Sequence, residues 1–249
     1  MSSSPRTLTI PRRFNGPPTS GNGGYVAGAI AACLPDPTVQ ITLRAPVPLD
    51  RPLQWRQGPA GGITLHDGEQ LLAEAAGCVI DAADIAVPPA PDAAQAEAAG
   101  ALGRMTARSE SGNPYDHCFG CGIARHDGLM IIPSLLPGAA GEAGVVATTW
   151  TPSAELAGPD GLIDAPITWA ALDCPAGFAW GTRLGQNTPM MTGRMAGDIA
   201  VPLRAGERYV VAGWPIRQDG RKLHAGTAIF DEQGRLRARS LQLWLLLRT

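Results

Sequence analysis

From Tyr25 to Leu34 the chain reads YVAGAIAACL, apolar on every face of a helix. A helix of that kind cannot lie on a surface and must be enclosed by protein. Pro35 and Pro37 then stop it. The small residues Ala27, Gly28, Ala29, Ala31 and Ala32 let other backbone come close to it. The fold must therefore supply something that wraps this helix, and the segments that follow read as strands. They run from Val39 to Val47, from Leu53 to Gln57, from about Gly62 to a turn at His66-Asp67-Gly68, and from Gln70 to Ile80.

The same order recurs later in the chain. Ala165 to Trp180 is a second apolar run, and a strand-like segment after it ends in Val201-Pro202-Leu203, as the first ends in Val47-Pro48-Leu49. Strands from Arg208 to Ile216, Lys222 to Phe230 and Arg235 to Leu247 follow, with an acidic-Gly turn at Asp231 to Gly234. Two more strands, Leu129 to Leu135 and Gly144 to Thr151, precede the second helix. The ordered set marks a duplicated unit of one helix and one antiparallel meander. Between the copies, Val87 to Gly103 (VPPAPDAAQAEAAGALG) reads as a linker, with one short helix from Asp92 to Ala101. The division is 1–86, 87–103 and 104–249. The fold expected is α+β, a double hotdog, with two long helices each wrapped by a curved antiparallel sheet.

Composition agrees. Charged residues are 17% of the chain, while Gly and Pro number 31 and 23, which favours short strands and many turns over long surface helices. The net charge of −2 is scattered, so neither nucleic acid nor an anionic membrane is expected as a partner. The opening residues MSSSPRTLTI are polar and lack the apolar stretch of a signal peptide, and no apolar run approaches the ~18 residues of a membrane span. Cytoplasmic residence with reduced thiols is therefore the expectation for the five cysteines.

Cys118-Phe119-Gly120-Cys121-Gly122 with Gly128-Leu129, the helix Asp164 to Asp173 and the strands from Val201 to Trp244 resemble the thioesterase superfamily of hotdog proteins. The resemblance spans most of 115–249 and is weaker over 8–82, where GNGGYVAGAIAACL carries it. It implies an acyl-CoA or similar thioester as partner, hydrolysis as the activity, no cofactor, and assembly as a homo-oligomer. In that family the helix begins His-Gly-Gly and carries an acid nine positions after the His. The glycine amides of one unit face the acid of the other. Here Asn22-Gly23-Gly24 keeps the glycines, and nine residues on stands Ala31. In the second helix Asp164-Ala165-Pro166 replaces the glycines, and nine residues on stands Asp173. Each half retains what the other lacks, so two sites reduce to one composite site.

The chemistry of the residues fits that division. A helix N-terminus presents unpaired N–H groups and about half a positive charge, and glycines let a carbonyl reach them. Pro166 lacks an N–H and Asp164 repels an oxyanion, so the second helix starts well structurally, with Asp164 as its cap, and poorly for catalysis. The assignments are catalytic roles for Asp173, Gly23 and Gly24, and substrate contacts for Asn22, Tyr25 and Thr19; Ser20 is a further hydroxyl beside the glycines.

Other residues carry less. Cys118-x-x-Cys121 with His117, and His126 beyond, lacks a second pair, so the pair reads as a turn with packed thiols and no metal is expected. Cys174 reads as core. His66 and His224 sit near hairpins, and Arg183, Arg194 and Arg204 read as surface, with a CoA phosphate as the alternative role. The segment Gly181 to Gly193, with Gln186, Asn187 and Thr192, reads as a long loop, either covering the substrate or serving only as a connection. Two other functions stay open: a non-catalytic acyl-CoA or lipid-binding protein, and a hotdog hydratase or dehydratase. The absence of histidine from both helices argues against the second.

Overall fold

The computed structural model describes residues 7–109, 115–185 and 187–248. The apolar run near the N-terminus forms α1, Gly23–Ala31, and Asn22 caps it by accepting the Tyr25 N–H at 2.9 Å. At nine residues it is shorter than the long helix expected; its last turn loosens before Pro35. Its counterpart α5, Ala165–Leu184, has 20 residues. Pro166 occupies the first turn as expected, but the Asp164 side chain makes no capping bond. The Asp164 carbonyl begins the helix by accepting from Ile167 and Thr168.

The strands are β1 (Thr7–Leu8), β2 (Thr38–Leu43), β3 (Leu53–Gln57), β4 (Ile63–Asp67), β5 (Gln70–Gly77), β6 (Ser134–Leu135), β7 (Val146–Trp150), β8 (Met190–Ile199), β9 (Tyr209–Asp219), β10 (Lys222–Phe230) and β11 (Leu236–Leu246). They form one antiparallel sheet in the order β1-β3-β4-β5-β2-β8-β11-β10-β9-β7-β6. Read outward from the middle, β2, β5, β4, β3 and β1 on one side match β8, β11, β10, β9 and β7 on the other. The duplication seen in the sequence is thus a near-twofold arrangement. Its axis passes between β2 and β8, whose pairing runs from Thr38 opposite Asp198 to Thr42 opposite Arg194.

Period-two alternation decides what each face of the sheet covers. On β9, Tyr209 and Val211 join the core that holds both helices, while Val210, Ala212 and Trp214 point to the opposite face. That opposite face is covered by α3, Ala93–Ser109, through Ala96 and Ala99. The helix begins where expected, with Asp92 accepting the Gln95 N–H at 2.9 Å, and continues past Ala101 because no proline follows before Ser109. It lies flat on the sheet because Gly100 and Gly103 lack side chains. A Cβ on Gly100 would strike the Thr148 hydroxyl, and one on Gly103 would stand 2.5 Å from the Ile132 carbonyl oxygen. Two short helices, α2 (Ala82–Ile85) and α4 (Gly138–Glu142), complete the connections.

Two expected segments change character. Leu129 to Leu135 is not one strand: Met130 turns the backbone left-handed at φ 53° and Pro133 interrupts pairing, so only Ser134 and Leu135 pair. The long loop expected over 181–193 is five residues, since α5 holds Gly181 to Leu184 and β8 holds Met190 to Gly193. Of its polar residues, Gln186 lies outside the described residues. Among the described residues no helix is long and apolar enough to cross a membrane.

Candidate active site

The two apolar helices meet face to face, and glycine makes that contact possible. A Cβ on Gly28 would stand 2.7 Å from both Pro166 Cα and Trp169 Cβ. One on Gly24 would collide with the Trp169 carbonyl and stand 2.6 Å from Asp173 Cβ. Glycines four apart in α1 therefore present a bare backbone stripe on which α5 lies. The contact brings the N-terminus of α1 against Asp173, which is 3% exposed.

A carboxylate so buried needs donors. The Thr192 hydroxyl donates to Oδ1 at 2.6 Å, and Asn22 Nδ2 donates to Oδ2 at 3.0 Å. The Gly24 amide adds a backbone hydrogen bond. Burial nevertheless dominates and pushes the Asp173 pKa up to about 6, with the donors from Thr192, Gly24 and Asn22 opposing it. Gly23 sits beside the same groups: a Cβ there would lie 3.0 Å from Thr192 Cβ and 3.3 Å from Asp173 Oδ2.

Asn22, Gly23, Asp173 and Thr192 line a cavity of about 340 Å³. Its apolar wall includes Val26, Leu43, Phe178, Met190 and Trp244. Asp173, Gly23 and an apolar chamber thus share one space. A second cavity adjoins it, since both are lined by Leu43, Arg44, Gly193 and Leu245. The second also carries Arg194, Arg217, Lys222 and His224, with Asp219 as its acid. Burial first, then the Arg217 charge, depresses the His224 pKa.

The sequence-assigned residues fare unequally. Asp173, Gly23, Gly24 and Asn22 meet as described. Tyr25 does not reach the cavity: its ring stacks on Phe14 at 3.7 Å and meets Phe119 edge-on. Thr19 is exposed and stays outside the lining, whereas the neighbouring Ser20 is part of it. Thr192, read as loop, is a strand residue that holds the carboxylate. Thr192→Val removes a donor from a buried acid. The lost hydrogen bond to a charged group is worth ~1.5–3 kcal/mol, and we expect the Asp173 pKa to rise further because Thr192 now holds it down. NMR titration of the Asp173 carboxyl checks this.

Cys118, Cys121 and Cys174 also line the cavity, and their sulfurs lie within 4.8 Å of one another. Sequence reading missed this cluster, because Cys174 comes from α5, 56 residues after Cys118. The thiols of Cys121 and Cys174, with the backbone amides of Cys121 and Gly120, hold Cys118 well below the usual thiol range. His117 and His126 are not in the lining.

No family model matches the chain, and no curated protein matches it. Solved structures do. A putative thioesterase from Novosphingobium aromaticivorans superposes over 100% of this chain and 98% of its own, with a TM-score of 0.61 at 14% identity. A hot dog fold protein of unknown function from Alicyclobacillus acidocaldarius covers 100% of this chain and 95% of its own, with a TM-score of 0.62 at 10% identity. The tesB protein of Mycobacterium avium subspecies paratuberculosis covers 91% and 87%, with a TM-score of 0.57 at 13% identity. At such identities the likeness establishes architecture, and it runs the length of the chain. This protein has the hotdog fold, present twice in one polypeptide.

Proposed function

We propose that the protein hydrolyses an acyl-CoA-like thioester at one composite site between its two halves, 1–86 and 104–249. The observation that carries this reading is the meeting of Asp173 with the N-terminus of α1 at the wall of an apolar cavity. In this reading the acyl chain occupies the cavity beside Phe178, Met190 and Trp244. The Gly23 amide, at the positive end of α1, receives the thioester oxygen as negative charge builds on it. Gly24 directs its own amide to the carboxylate and shares with Asn22 and Thr192 the task of aiming it. Three donors leave at least one of the carboxylate's roughly four lone-pair positions open, so Asp173 can accept a water proton while the water attacks the carbonyl carbon. Collapse of the tetrahedral intermediate expels the thiolate.

The adjoining cavity supports the choice of CoA as the thiol. Among the described residues Arg194, Arg217 and Lys222 form no ion pair, so their charge is available to phosphates. Arg217→Glu with Lys222→Glu is expected to raise KM for an acyl-CoA about 10-fold or more and to leave KM for the matching acyl-pantetheine unchanged. Equal effects on the two substrates would remove the phosphate role.

The reading as a whole is tested by free-thiol release from short, long and aromatic acyl-CoAs. Turnover above the uncatalysed rate with at least one class is the expected result, and none with any class would overturn it. The hydratase reading has no histidine in the lining of the Asp173 cavity to rest on.

A further inference from the structure

The hydrolytic reading makes no use of Cys118, Cys121 and Cys174. We propose that these three thiols form a binding site for one thiophilic divalent cation of the zinc class, with a fourth position open to the cavity. Tetrahedral zinc holds sulfur at ~2.3 Å, which sets neighbouring sulfurs ~3.8 Å apart. Cys118 Sγ and Cys174 Sγ are 3.9 Å apart, and all three sulfurs lie within 4.8 Å. Two of the three therefore stand at metal-bridged spacing, and the third closes by no more than about 1 Å through side-chain rotation.

The backbone is shaped for the convergence. The Gly122 N–H donates to the Cys118 carbonyl at 2.7 Å, closing a turn that sets Cys118 and Cys121 side by side. A Cβ on Gly122 would stand 2.5 Å from that carbonyl oxygen, so only glycine closes it. A Cβ on Gly120 would stand 2.8 Å from Cys174 Sγ. Glycine at 120 is what lets the loop lie against α5 and admit the third sulfur. A plain turn with packed thiols requires neither the third cysteine nor the space left for it.

Hydrogen-bond donors also surround the sulfurs. Backbone amides of Gly120 and Cys121 point at Cys118 Sγ. Asn22 Nδ2 lies 3.7 Å from Cys118 Sγ and 4.0 Å from Cys174 Sγ, so one amide faces two sulfurs and the Asp173 carboxylate together. Second-layer donors of this kind fix ligand orientation at metal centres. Charge balances as follows: the cation binds three thiolates, each thiol gives its proton to solvent, and the complex carries one net negative charge at the positive end of α1. Because all three cysteines line the cavity, the remaining position faces the space assigned to substrate.

The test reads metal and not turnover, so it is independent of the thioester assay. The reduced full-length chain is titrated anaerobically with Co²⁺ and then Zn²⁺. The expected result is one Co²⁺ per chain with intense sulfur-to-cobalt charge-transfer absorption, abolished on addition of Zn²⁺. Cys174→Ser and Cys121→Ser should each weaken Co²⁺ binding at least 100-fold while circular dichroism stays unchanged. Cys33→Ser and Cys78→Ser should leave the spectrum as it is. Absence of the band at stoichiometric Co²⁺, an undiminished band in Cys174→Ser, or its loss in the Cys33 or Cys78 variant would each overturn the site.

Discussion

Asp173→Asn should lower kcat for thioester hydrolysis about 10²–10⁴-fold, the usual contribution of a positioned acid or base. It should do so while leaving the fold intact. The replacement has the same shape and removes a charge that burial disfavours. The new amide can turn its oxygen to Asn22 Nδ2 and its NH₂ to the Thr192 hydroxyl, which rotates to accept instead of donate. Both side-chain contacts therefore survive, and stability should change by no more than about 1 kcal/mol. Steady-state thiol release and thermal unfolding of the same preparation check the two halves of the claim. Unaltered turnover in a folded variant would eliminate Asp173 from the chemistry.

Gly24→Ala should damage packing and activity together. Its Cβ would meet the backbone of α5 at the Trp169 carbonyl and at Ala170 Cα, 2.9 Å away, and neither can swing aside. The helices would have to separate, at a cost of about 1–3 kcal/mol, as overpacked cores do. For a chain of this length that lowers the unfolding midpoint by ~2–4 °C per kcal/mol. Activity should fall as well, because the same shift carries the α1 amides away from Asp173. Gly23→Ala is the instructive contrast. Its Cβ would face the side chains of Thr192 and Asp173. Stability should hardly change, but a thioester oxygen could no longer approach the amide. Scanning calorimetry with kinetics on both variants separates packing from chemistry.

Much of this arrangement was legible in the chain itself. The repeated order of apolar helix, Val-Pro-Leu and acidic-Gly turn foretells the matched halves, since each element depends on local periodicity and turn chemistry. Gly23 and Gly24 with Asp173 emerged because each helix lacks what the other keeps. The rest depended on tertiary placement. The Tyr25 ring is drawn from the cavity by Phe14 and Phe119, which stand 11 positions before it and 94 after it in the chain. Thr192 shows no strand signature amid Gly185, Asn187 and Pro189, yet β8 begins at Met190 and aims it at the carboxylate. The thiol cluster was hidden for a simpler reason. A lone Cys-x-x-Cys pair lacks ligands until α5 delivers a third sulfur, and no spacing rule spans 56 residues. α3 outran its expected end because alanine and glycine near the sheet carry little amphipathic signal, although the helix rests on Thr148 and Ile132.

The β2–β8 seam has a kinetic consequence. It joins residues about 155 positions apart, and Asn22 and Asp173 are separated by 151. Contacts of such range carry a large loop-closure cost and form late. Each half can gather its own hairpins while the proposed composite site is still absent, so that site is the final product of folding. The reverse also holds: an opening confined to this seam would silence the protein while most of its amide protons remained protected from exchange.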